Sequence, residues 1–559
     1  MPTGSPTRIP LPPGLVPAWE TPEDEDVCWR RDPMHSPGPI TMMDADANRA
    51  THEGGFSVAA QRLGLPVRAM SRRFWTHLYV SHAPPPLPPF ELEAMGRRAE
   101  EDMPRHVANL WARWETEWLP VVQEMVAFWE RFDLDAATLP ALVEHFDTTL
   151  ALYDRLWTIH FEIAFPLLIG PSMFEEMYRD LFGADTGLEA FKLLQGFDNK
   201  TVQSGRRLRE LALEIRALPD ARAIVDSASP ADIIPAMRQS LACAPIVARI
   251  DDYLREFGKR GHTWGLSPRP WIDDPTPVIK NLKDYVNQPG IDPATELATL
   301  AGERDAMIAA ARERLAAYPE GIRQQFEFLL EAAQRSAVVQ EDHNFWIDFR
   351  ATYEVRRVMV ELGRRFTSAG LLDDPEDIFH LRFSEARETA AQFPALSRRA
   401  LVADRKAEMR RYEGVPLPME IGSFPPGPPP DDIMMRTTAK FFGSPPPAPE
   451  QPGELRGAPG AAGVVRGLAR VVRTLADAGK VEPGDVLVAE TTAPPWTPLF
   501  ATVAAVVTDT GGVLSHCAIV AREYRIPAVV GAGMATAVIR DGMLVEVDGT
   551  RGVVTILGE

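Results

Sequence analysis

Cysteine is scarce in this chain: Cys28, Cys243 and Cys517 stand far apart in 559 residues. With no C-x-x-C pair and no zinc-ligand spacing, neither a disulfide framework nor a zinc finger is expected, and the pattern suits a reducing cytoplasm. Long apolar runs are missing too. No stretch reaches the about 18 residues of a membrane helix, and the opening MPTGSPTRIPLPPGLVPAW has no apolar signal core, so a soluble protein free of the membrane is expected. Positive charge is in deficit. The net charge of −19 and pI near 5.2 would repel a phosphate backbone, which argues against nucleic acid as a partner. Neither G-x-G-x-x-G nor G-x-x-x-x-G-K-[ST] occurs to cradle a phosphate, and no H-E-x-x-H predicts a metal site.

What is present suits a globular, multidomain chain. Hydrophobic residues make up 45% and charged residues 25%, enough apolar surface for sizeable cores, while the length exceeds what one core usually holds. Of 52 prolines, the densest run lies in residues 414–452, with Pro425, Pro426, Pro428 to Pro430, Pro445 to Pro447, Pro449 and Pro452. It reads as a linker. In an extended polyproline conformation about 20 such residues span roughly 60 Å, which suits a domain that travels. Residues 95–413 read as mostly helix, because apolar residues recur at steps of three and four: Leu142, Phe146, Leu150, Tyr153, Trp157 form one stripe and Val339, Trp346, Phe349, Tyr353 another. Residues 1–94 are proline-rich and less periodic, so loops and short elements covering the helical body are expected. In residues 453–559 the texture changes to β-branched runs at 464–472, 486–489, 505–508, 528–530, 544–547 and 553–556, the pattern of a compact α/β domain.

The segment from Thr508 to Glu523 reads as strand, glycine turn and helix. Ser515 is placed to cap the helix and His516 to begin it. A helix start offers unpaired N–H groups and the positive end of the dipole, both favourable to a phosphate, while Gly511 and Gly512 permit close backbone approach. Imidazole is a neutral nucleophile near pH 7 and a good leaving group once phosphorylated. A histidine that merely caps or packs is the competing reading.

GDVLVAETTAPPWTPLF, TDTGGVLSHCAIVAREYRIPAVVG and DGMLVEVDGTRGVVTIL resemble the mobile phosphohistidine domain shared by phosphoenolpyruvate synthase, pyruvate phosphate dikinase and rifampin phosphotransferase. The resemblance implies that His516 is phosphorylated and that residues 453–559 swivel between two active sites. Cys517 departs from the small residue usual after that histidine, which raises a question of packing or oxidation. EDHNFWIDFRATYEVRRVMVELGRRFTSAGLLDDPEDIFHLRFSEA and FGKRGHTWGLSPRPWIDDP resemble parts of the helical domain of rifampin phosphotransferase. Neither an ATP-grasp domain nor a phosphoenolpyruvate-binding barrel is recognisable.

In domain content the chain therefore resembles two-subunit, phenol-phosphorylating dikinases such as phenylphosphate synthase. That resemblance implies a substrate-binding and phosphocarrier subunit, with ATP and Mg²⁺ bound on a separate ATP-grasp partner, an organic hydroxyl (a phenol by preference) as acceptor, and AMP and phosphate as the other products. For the acceptor side the candidates are His160 and His343, each on an apolar helix stripe, and His262 in a glycine-containing loop beside Trp264. Gln195 and Asn199 could hydrogen-bond a substrate, Trp157 and Trp346 could line an aromatic pocket, and His35 in DPMHSPGPIT is a further candidate. Core packing or a helix-end role is the bland alternative for each. Two rival functions stand beside this one: a non-catalytic phosphocarrier, and a carboxylate-activating condensation enzyme using the same histidine.

Overall fold

In the computed structural model the described residues are 7–183, 188–261, 264–287, 293–424, 433–473, 475–492 and 496–558. The helical body is organised on one helix, Leu139–Phe182, of 44 residues, about 66 Å long at 1.5 Å per residue. Thr138 caps its start by accepting from the Ala141 amide, and Gly183 at φ +66° ends it in the left-handed conformation. Its apolar stripe is wide because helices Glu320–His343, Pro89–Arg113 and Thr352–Ser368 all pack against it. A second core, built on Tyr253, Phe257, Leu282 and Val286, gathers the shorter helices between Lys200 and Asn287.

Residues 1–94, read from sequence as loops and short elements, contribute four strands: β1 Thr7–Arg8, β2 Cys28–Arg31, β3 Arg68–Phe74 and β4 His77–Ala83. They are completed by β5, Glu420–Phe424, in a five-stranded sheet ordered β1-β5-β2-β4-β3.

The proline-rich stretch is thus more than a tether. Besides β5 it holds helix Ile433–Phe442, which packs on the long helix and anchors there through Lys440, whose Nζ lies 2.6 Å from Glu175 and 3.0 Å from Glu176. The expectation of an unpacked linker over 414–452 is corrected on both elements. Proline density misled because the prolines flank the helix and do not interrupt it.

The C-terminal unit is the expected α/β domain. Strands β6 Glu454–Arg456, β7 Ala458–Ala461, β8 Val464–Val472, β9 Val486–Ala489, β10 Ala505–Thr508, β11 Ala528–Val530, β12 Leu544–Asp548 and β13 Val553–Gly558 form one sheet, ordered β6-β13-β12-β8-β9-β10-β11-β7. Neighbours from β8 to β11 run parallel, and the helix His516–Glu523 follows β10 and packs against the sheet. No described helix is long and apolar enough to cross a membrane.

Candidate functional site

His516 is the first residue of its helix, with Ser515 in extended geometry before it. Leading N–H groups of a helix have no partner within it, so His516 stands where an anion is welcome. The ring is buried at 9% exposure against the helical body. Thr492 Oγ1 lies 3.5 Å from Nδ1 and Thr497 Oγ1 3.3 Å from Nε2. Burial first, and the Arg260 guanidinium second, push its pKa down to about 3. The imidazole is therefore neutral at physiological pH. Burial raises the neighbouring Cys517 thiol to about 12, which disfavours the reactive thiolate, and the side chain packs in the core of the C-terminal unit.

The glycine turn behaves differently from expectation. Gly511 and Gly512 donate their amides to Phe442 O at 3.1 Å and Phe441 O at 2.9 Å, and Leu514 donates to Lys440 O at 2.8 Å. The carbonyl end of helix Ile433–Phe442 therefore occupies both glycine amides, which in this arrangement are closed to a phosphoryl group. Glycine is required for this approach: a Cβ on Gly512 would stand 2.3 Å from Lys440 O. The Ser515 hydroxyl is buried without a hydrogen-bond partner.

Between the two domains lies a narrow cleft lined by Thr201, Ser204, Arg260 and Tyr285 of the body and Thr497 and Tyr524 of the C-terminal domain. Arg260 is 3% exposed and its Nε has no hydrogen-bond partner; no described carboxylate reaches ion-pair distance of it, and Glu341 acts on it from further off. A buried cation is costly without an anion. Behind Thr201, whose hydroxyl donates to Glu341 Oε2 at 2.5 Å, the Glu341 carboxyl is buried and its pKa is raised by that burial.

A second cluster backs onto the cleft. His160 Nδ1 lies 2.9 Å from Asp348 Oδ1, the His160 and His343 rings are 5.1 Å apart, and Trp264 donates its indole N–H to Asp348 Oδ2 at 3.0 Å. His343 Nδ1 sits 2.9 Å from Val339 O, and His35 meets the Trp264 ring at 4.7 Å. Trp157, 4.9 Å from His160, and Phe161, 4.8 Å from it, supply an aromatic wall. Two contacts join cluster and cleft: Trp264 packs against the core of the C-terminal domain, and Phe349, next to Asp348, lies 5.8 Å beneath the Arg260 guanidinium.

Local backbone geometry explains the cluster. At 3.6 residues per turn, positions five apart point about 140° away from each other. From Asn344 to Ala351 the helix widens to a π-helix, whose bonds join residue i to i+5, so residues five apart stack. This brings His343 and Asp348 to one face.

The structure thus unites His160, His343, Trp264 and Trp157, and sets His516 behind Thr497, which lines the neighbouring cleft. His262 lies outside the described residues. Asn199 caps the helix starting at Lys200, accepting from the Val202 amide at 2.9 Å. Gln195 is buried, and its carbonyl accepts from Arg304. Trp346 packs between the two helical cores with Arg350 over its ring. None of these three appears in the cleft or the cluster. Arg260, Thr492, Thr497, Glu341 and Asp348 were not among the residues singled out from sequence. The domain docking that assembles four of them leaves no local spacing to detect.

Residues 481–552 match the PEP-utilising enzyme mobile domain. That match lies within the C-terminal α/β unit. Residues 160–341 match the rifampicin phosphotransferase fourth domain, so the mobile domain and the body it docks on resemble the same kind of protein. Similarity extends over 98% of the chain at 38% identity to the chondramide synthase cmdD of Chondromyces crocatus, where it covers 14% of that protein. The uncharacterized phosphotransferase YvkC of Bacillus subtilis is 27% identical over 75% of this chain and 50% of its own length. A rifampicin phosphotransferase of Streptomyces sviceus is 31% identical over 64% of this chain and 40% of its own. The chain therefore spans half or less of each of these relatives.

Proposed function

We propose that the chain is a phosphohistidine phosphotransferase. His516 on the mobile domain receives a phosphoryl group at an ATP-grasp site outside these residues, on a separate subunit, and delivers it to a hydroxyl compound bound by the helical body. The observation that carries this reading is the buried, unpaired Arg260 on the cleft beside the His516 ring. A phosphoryl group on that ring would give Arg260 the close anion that Glu341, acting from beyond ion-pair distance, does not.

In the transfer the N–P bond breaks, its electrons return to the ring nitrogen, and an O–P bond forms to the acceptor. Phosphoryl transfer needs alignment and charge neutralisation above all. Arg260 supplies charge, and Thr492 and Thr497 hold the ring. The acceptor hydroxyl loses its proton on the side of His160, His343 and Asp348, and the aromatic wall beside them suits a phenol. The described group able to hold a cation is that imidazole-rich cluster, which is a poor match for Mg²⁺ and its preference for oxygen ligands. ATP and Mg²⁺ belong to the donor site.

The test is to incubate the chain with ATP, Mg²⁺ and an ATP-grasp partner, and follow intact mass. Wild type should gain one phosphoryl group and lose it to a phenol, with AMP formed, while His516→Gln should gain none. Phosphorylation of the His516→Gln protein to the wild-type extent would sink the reading.

A further inference from the structure

We propose that His160, His343 and Asp348 bind a divalent transition-metal ion of the zinc type. The ligand atoms of the three side chains all lie within 4.8 Å of one another. Donors held about 2.1 Å from one ion at tetrahedral angles stand roughly 3.4 Å apart, so the site closes on an ion with shifts of an ångström or so.

The orientation of the donors is the stronger sign. His160 Nδ1 and Asp348 Oδ1 are 2.9 Å apart, close enough to bond, yet neither atom makes a hydrogen bond of acceptable angle, and both are fully buried. The two groups attract each other as an ion pair, but their misaligned approach leaves both lone pairs able to turn to a third centre. The groups behind them are those a metal site uses. Val339 O holds His343 Nδ1, which leaves Nε2 as the free donor, and the Trp264 indole fixes the other oxygen of Asp348. Two imidazoles and one carboxylate suit zinc and its neighbours in the transition series and leave coordination positions open. The π-helix that stacks His343 and Asp348 then has a purpose: it turns an ordinary helix into a bidentate clamp.

The site stands on its own geometry; its use rests on the phosphotransferase reading. There, an open position beside the aromatic wall would take the acceptor oxygen and ease loss of its proton, since a bound cation lowers the pKa of a coordinated hydroxyl.

The purified chain is stripped with a chelator, dialysed, and titrated with Zn²⁺ and Co²⁺, with stoichiometry read by elemental analysis and the Co²⁺ site by its visible spectrum. One ion per chain is expected, with the d–d bands of a low-coordinate nitrogen and oxygen site. Asp348→Asn and His343→Gln should each weaken binding by at least tenfold, whereas His106→Gln, remote from the cluster, should bind as wild type does. His516→Gln should also retain the ion, which separates failure of the metal site from failure of the carrier reading. Because a ligand variant could misfold, the wild-type protein is also melted with and without Zn²⁺; a specific site raises the melting temperature. Absence of a stoichiometric ion in the wild type, or equal binding by the Asp348→Asn variant in its folded state, overturns the proposal.

Discussion

Arg260→Met separates two roles that usually coincide. If Arg260 waits for a phosphoryl group, the unphosphorylated protein bears the cost of a buried cation whose carboxyl neighbour, Glu341, acts only from beyond ion-pair distance. Replacing buried ionic groups by apolar ones of similar volume often stabilises by about 1–4 kcal/mol. Against this stands the loss of the stack on Phe349, worth about 0.5–2 kcal/mol. The net expectation is a gain of about 1–2 kcal/mol, read in calorimetry as a rise of a few degrees at roughly 2–4 °C per kcal/mol. Transfer should move the other way. Losing one preorganised charge-stabilising donor typically costs about 10²–10³ in rate, visible by quenched flow as slow decay of phosphorylated His516 in the presence of acceptor. Removing Arg260 also removes the second cause of the depressed His516 pKa. By NMR the imidazole should therefore titrate above about 3, but still below an ordinary histidine, because burial remains. A destabilised Arg260→Met protein that transfers at the wild-type rate would show that Arg260 is a structural residue and refute the argument.

Other predictions follow from the same contacts. Gly512→Ala places a methyl against Lys440 O at 2.3 Å, so helix Ile433–Phe442 must lift; hydrogen exchange across 433–442 should quicken while the separate cores melt normally. Burial and the nearby Glu341 raise the Glu523 pKa to about 8. An acid with a folded-state pKa above its unfolded value loses its stabilising contribution as pH rises from the unfolded value to the folded one, so domain docking, followed by small-angle scattering, should loosen progressively from about pH 4.5 to about pH 8 and change little above that. Glu523→Gln should remove this dependence. Deleting residues 425–447, which takes out helix Ile433–Phe442, should lower stability as well as transfer, measurable together by melting and by single-turnover assay.

How much of this could be read from sequence depends on how local each feature is. His516 was legible because strand, glycine turn and helix start are contiguous, although Ser515 precedes the helix without the side-chain cap expected of it, and the six β-branched runs of the C-terminal domain are strands for the same reason. His160 and His343 were visible as histidines on helical stripes, but Asp348 was not. On a regular helix it faces away from His343, and only the π-helix turns it inward. Arg260 looked like one more basic residue in a glycine-containing segment, and its burial without a carboxylate at ion-pair distance is a tertiary fact. The proline-rich stretch misled because composition cannot show that β5 is claimed by strands far away in sequence.

That claim by β5 has a consequence for synthesis. In the five-stranded sheet, Arg30 on β2 is bonded to Glu420 across 390 positions, and β5 is the strand that joins β1 to the rest. At about 5–20 residues per second, roughly 20–80 s separate emergence of β2 from that of its partner. Throughout that interval β2 has an open edge, and the side of buried Trp29 that Ile421 will cover stays wet. Unpaired edges invite association with other chains, so the N-terminal sheet is the part of this protein most in need of a chaperone on the ribosome. A chain cut before residue 420 should expose that edge permanently, however well its helices fold.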